Sequence, residues 1–92
     1  NPTIVGIREG ASGLQVFVDA EIVQLSQLGD VTLRHAIGNN PALNVEDVYA
    51  EARIFVRADQ ATAYGNVVNV MSRLQEAGFA KVGIFAELAS EG

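Results

Sequence analysis

The sequence predicts an α+β fold: a two-layer α/β sandwich in which a mixed β-sheet carries two main helices on one face and contains a C-terminal βαβ unit. Three observations carry that prediction. Apolar residues Tyr64, Val67, Val68, Met71, Leu74 and Ala77 recur at helical spacing between two β-rich segments, residues 54–58 and Lys81–Ala86. Near the start, two β-branched runs flank a loop with a glycine at each end of Gly10-Ala11-Ser12-Gly13, as in a hairpin. With 92 residues the chain is sized for one domain, residues 1–92, and its 29 Val, Ile, Leu and Phe side chains supply a core that a disordered chain lacks.

Each element follows from local pattern. Residues 4–8 form the first strand and residues 14–19 the second. In the latter, Leu14, Val16 and Val18 face one way and Gln15, Phe17 and Asp19 the other, so Phe17 is an apolar residue on the polar side. A linking segment carries Ile22, Val23 and Leu25. A first helix follows, with Ser26 and Asp30 as cap candidates and Val31, Leu33, Ala36 and Ile37 as its apolar positions. It ends near Ile37, because Gly38-Asn39-Asn40-Pro41 forbids continuation. Between residues 44 and 52, Val45, Val48, Tyr49 and Ala52 fit a short amphipathic helix capped by Asn44, although the β-branched content leaves an extended reading open. Ile54, Val56 and Ala58 then share one strand face, with Phe55 and Arg57 on the other. Asp59-Gln60-Ala61-Thr62 is a polar turn. Gly78 occupies the position of a left-handed helix stop, and Phe79 the position that folds back onto the last turn.

Chemistry is narrowed mainly by composition. A net charge of −5 with six scattered cations argues against nucleic acid as a partner. The single Lys precedes Val82, which excludes a phosphate loop, and no glycine triplet has dinucleotide spacing. One His and no Cys leave no zinc cluster and no thiol nucleophile, and no cofactor is expected. His35 is the only side chain of a type that commonly serves as a general base near neutrality, and it reads as a partly exposed helix histidine near a favourable C-terminal dipole instead. The pairs Asp19/Glu21 and Glu46/Asp47 read as solvated surface charge, since sequence neighbours diverge. Arg57 and Asp59 point to one side where the strand ends. They fit a strand-end ion pair or an Asp-stabilised turn, and secondarily a contact for a partner. Tyr64 reads as a core-edge residue with its hydroxyl at the rim.

Three runs, Ile54-Phe55-Val56-Arg57-Ala58-Asp59, Tyr64-Gly65-Asn66-Val67-Val68 with Met71, and Leu74 through Gly83, resemble the periplasmic domain of the ExbD/TolR family of biopolymer transport proteins. Weaker likeness extends back through Leu14 to Ile37. Residues 42–53 depart from the family's shorter link. The resemblance implies the periplasmic domain of a single-pass inner-membrane protein, with no catalytic role. That protein would work with an ExbB/TolQ-type channel subunit, and would engage TonB, or TolA and the Tol-Pal system with the cell wall. The family's proton-handling Asp lies in a transmembrane helix to which no residue here corresponds.

An edge strand at Lys81–Ala86 carrying Val82, Ile84 and Phe85, with Leu88 beyond it, invites a second copy, so a two-fold homodimer is expected. Partner or dimer contacts are accordingly expected at Arg57, Asp59, Tyr64, Lys81, Val82, Ile84, Phe85 and Leu88. Peptidoglycan, through its stem-peptide carboxylates, would need local donors such as Arg53, Arg57 or Lys81. The alternative class is a small regulatory or ligand-binding α/β module unrelated to membrane energisation.

Overall fold

Hairpin formation at the start of the chain sets the frame. In the computed structural model, which describes residues 1–86, β1 (Thr3–Gly10) and β2 (Gly13–Val18) pair antiparallel with Gly10 opposite Gly13. Gly13, directly after the turn residues Ala11 and Ser12, has φ +112°, a backbone conformation that favours glycine. β3 (Glu21–Val23) pairs antiparallel with β2. Its residues were expected to be a link. They become a strand because Asp19, at φ +53°, reverses the chain at once. β4 (Arg53–Ala58) runs parallel to β1, and β5 (Lys81–Ala86) runs parallel to β4. The resulting mixed sheet has the order β3-β2-β1-β4-β5.

Register places the buried residues in rows. Val5 lies between Val18 and Val56, and Ile7 between Val16 and Ala58, all on the face covered by helices. That face is closed by α1 (Leu28–Asn39) and α3 (Tyr64–Glu76), with the single turn of α2 (Val48–Glu51) beside them. α1 buries Leu28, Thr32 and Ala36, while Val31, Leu33 and Ile37 are only half-buried. It begins after a 3-10 turn at Leu25–Gln27 and has Gln27 at its N-cap without a side-chain bond, so neither Ser26 nor Asp30 caps it. It runs two residues past Ile37, and Asn40 Nδ2 donates to the Ala36 carbonyl at 2.8 Å to satisfy the last turn before Pro41.

α3 buries Val67, Val70 and Leu74, with Met71 half-buried. Val70 was not among the expected core residues. Tyr64, Val68 and Ala77 were, and they are exposed, at 74% and 40% for the first two. The helix carries two adjacent apolar stripes, and the sheet takes the one running through 67, 70 and 74. Its C-terminus closes as expected. Gly78, at φ +115°, donates to the Gln75 carbonyl at 3.0 Å, and Phe79 N–H reaches the Leu74 carbonyl at 3.3 Å. This is the paired-bond stop in which the residue after glycine turns inward, and Phe79 is buried.

The segment before β4 is a 3-10 turn, Val45–Asp47, running into α2, rather than one continuous helix. Val48 and Ala52 are buried, but Val45 is exposed. Asn44 stands at the N-cap position, yet its side chain bonds Asp47 instead of the backbone. The segment's role is set by Tyr49, whose carbonyl accepts from Ala80 N–H at 2.9 Å and whose ring lies 4.9 Å from that of Phe79. It therefore clamps the end of α3 to the start of β5.

Candidate interaction surfaces

β5 is the edge of the sheet beyond β4. Val82 lies against Ile54 in register and is half-buried, while Ile84 lies against Val56 and is 47% exposed. On the same helix-covered side, Tyr64 and Val68 of α3 present the apolar stripe the sheet leaves unused. Lys81, at the strand start, makes an exposed ion pair with Glu51 at 3.1 Å. The backbone of Phe85 pairs opposite Arg57, but its side chain, like Leu88, lies outside the described residues.

Arg57 and Asp59 both line one depression on the opposite face of the sheet. Asp59 has a turn role as well. Its Oδ1 accepts from Ala61 N–H and from Thr62 Oγ1, each at 3.0 Å, and thereby shapes the approach to α3. The N-terminus of α3 is satisfied from elsewhere: Glu9 Oε2 accepts from Ala63 N–H at 3.0 Å and from Asn66 Nδ2 at 2.9 Å. A carboxylate at the positive end of a helix is favourable, and here it comes from the end of β1. No local pattern could have shown this, because Glu9 is 54 residues from Ala63.

A polar cluster joins the β2–β3 turn to α1. His35 Nδ1 lies 3.0 Å from Asp19 Oδ2, and His35 Nε2 lies 2.8 Å from Glu21 Oε1. Arg34 Nη2 donates to both Glu21 oxygens, at 3.1 and 3.0 Å, and Asn39 Nδ2 donates to Asp19 Oδ2 and to Thr3 Oγ1. The spacing of these two carboxylates predicts that they diverge into solvent. The left-handed turn at Asp19 instead aims both at one helix face. Each carboxyl is held below its ordinary pKa. For Asp19, partial burial pushes upward, but hydrogen bonds from Asn39, the Ile4 amide and His35 outweigh it. For Glu21, the hydrogen bond from His35 is the largest cause and that from Arg34 the next.

A depressed carboxyl binds its proton less readily folded than unfolded, so the stability it adds is present above its unfolded-state pKa and is lost as pH falls through the folded value. Asp19→Asn is therefore expected to flatten the fall in melting temperature between about pH 5 and about pH 2, relative to the unsubstituted domain. Thermal melts across that range would check it. An unchanged slope would show that the cluster does not couple to folding.

The sheet face without helices is open. Two depressions indent it, one of about 460 Å³ bordered by Gly6, Arg8, Phe17, Arg57 and Asp59, the other of about 360 Å³ bordered by Arg53, Phe55, Lys81 and Gly83. Phe17, the one apolar side chain out of pattern in its strand, sits in the first, with the Arg8 guanidinium 5.0 Å above its ring. Among the described residues no group of three or more His, Cys, Asp or Glu side chains could hold a metal ion. Nor is any described helix long and apolar enough to cross a membrane. The arrangement offers surfaces for contact: an apolar edge and an aromatic, cationic face.

A comparison with known families gives a match over nearly the whole chain. The family model described as biopolymer transport protein ExbD/TolR covers residues 1–89, including the segment at 42–53 that departs from the expected spacing. No curated protein matches the chain.

Proposed function

This chain belongs to the ExbD/TolR family of biopolymer transport proteins, and from that premise we propose that it is the periplasmic domain of an inner-membrane proton-motive-force transducer that dimerises through β5 and engages a TonB- or TolA-type partner. The observation that carries the reading is the β5 edge, with exposed Ile84 on it and Tyr64 and Val68 exposed on the neighbouring helix. A parallel edge strand offers a row of unmatched backbone donors and acceptors, and apolar side chains beside it add burial to any strand that joins. A second copy related by a two-fold axis would pair β5 with β5 and extend both sheets into one. Val82 and Lys81 lie on the same strand.

Family membership supports a role in energising biopolymer transport. The channel subunit of the ExbB/TolQ type would be met by a transmembrane helix outside this sequence, leaving the domain to transmit force by contact. Sedimentation equilibrium tests the dimer. At high micromolar concentration the domain is expected to approach twice its 9.7 kDa chain mass, and Ile84→Lys is expected to return it to the single-chain value. A single-chain mass for the unsubstituted domain would contradict the proposal.

A further inference from the structure

We propose that the helix-free face of the sheet is a docking surface for an acidic peptide segment with apolar side chains, separate from the β5 edge. The argument begins with charge. The chain is acidic overall, yet four of its six cations, Arg8, Arg53, Arg57 and Lys81, border this face. The other two, Arg34 and Arg73, belong to helices. Described carboxylates are distributed the opposite way. Glu9, Asp19 and Glu21 are turned toward α1 or α3, and Asp30, Glu46, Asp47 and Glu76 are on helical segments, so only Asp59 and Glu51 border the open face.

Composition repeats within the face. Each depression pairs one aromatic ring with two cations and a glycine. Phe17 stands with Arg8, Arg57 and Gly6, and Phe55 with Arg53, Lys81 and Gly83. A Cβ on Gly83 would come 3.6 Å from the Phe55 ring, and one on Gly6 3.9 Å from Phe17 Cβ, ordinary contact distances, so the glycines lie directly beside the rings. Phe17 on β2 and Phe55 on β4 are two strands apart, about 10 Å across the sheet, with Ile4 of β1 in register beside Phe55. A ligand with apolar anchors and carboxylates between them would meet rings and cations alternately. Carboxylates suit guanidinium forks better than they suit water-exposed lysine, so Arg8 and Arg53 are the stronger determinants. The Lys81–Glu51 pair is exposed on both sides and yields readily to a competing anion.

This inference rests on the reading that the domain engages a second protein, but it concerns the open face of the sheet rather than the backbone edge of β5, with Lys81 and Gly83 of that strand bordering both. The test is an amide-shift titration with a short synthetic peptide in which Phe and Leu alternate with Asp and Glu. Its Asn/Gln counterpart and a soluble anionic muropeptide serve as comparison ligands. Shifts are expected at Gly6, Phe17, Phe55 and Gly83, with affinity at least about tenfold weaker in the Arg8→Glu/Arg53→Glu domain and in high salt. Arg34→Gln and Arg73→Gln are expected to stay within about twofold of the unsubstituted domain. Shifts confined to β5 or the helix layer, equal affinity for the Asn/Gln peptide, equal loss in the helix variants, or binding of the muropeptide alone would each overturn the proposal. No peptide binding by the unsubstituted domain with an intact dimer mass would overturn this inference only, and a single-chain mass with intact peptide binding would overturn only the edge pairing.

Discussion

Phe79→Ala is expected to lower the unfolding free energy of the domain by about 3–5 kcal/mol, a large part of the stability available to a chain of this size. Phe79 is 2% exposed and does three things at once. Its amide completes the stop of α3 on the Leu74 carbonyl. Its ring packs against Tyr49, 4.9 Å away, and so holds the 42–53 segment to the body of the fold. Its neighbour Ala80 is bonded to the Tyr49 carbonyl, immediately before β5. Removing the ring leaves a cavity where α2 meets the end of α3 and the start of β5. Denaturant unfolding would read the loss, and a change below about 1 kcal/mol would mean that the junction collapses without penalty.

Leu74→Ala is expected to cost about 3 kcal/mol, and Val70→Ala to destabilise in the same direction, because both side chains are fully buried between α3 and the sheet. Val68→Ala, by contrast, is expected to remain within about 0.5 kcal/mol. Val68 belongs to the apolar series read from the sequence, but it is 40% exposed. The three variants, compared by denaturant midpoints at constant slope, determine which of the two stripes covers the sheet. A larger loss at Val68 than at Val70 would rotate the helix relative to its observed position.

What was legible in the sequence was what local chemistry dictates. The hairpin follows from Gly13 and alternating β-branched residues, and the end of α3 follows from Gly78 and Phe79, since both depend on backbone geometry within a few residues. The βαβ unit was legible because a helix of this periodicity between two apolar strands has few ways to bury itself. Three features were not legible. Glu9 at the start of α3 depends on the parallel pairing of β1 with β4, which brings distant ends together. The convergence of Asp19 and Glu21 on His35 depends on a positive φ at a non-glycine residue. The choice of Val70 over Tyr64 depends on which of two adjacent stripes meets the sheet, and helical spacing alone admits both. For the candidate surfaces, the apolar edge could be read from residues 81–86. The open face could not, because its cations come from three strands, β1, β4 and β5, that only the register assembles.

The proposed dimer pairs two copies through the β5 edge, and cysteine cross-linking examines that position directly. The natural chain contains no cysteine, so Ile84→Cys introduces a single reactive group on β5. Under mild oxidation it is expected to yield a covalent dimer, while Ile22→Cys, which is at least as exposed on the short opposite edge, remains a monomer. No covalent dimer from Ile84→Cys, or equal cross-linking from Ile22→Cys, would contradict pairing through β5.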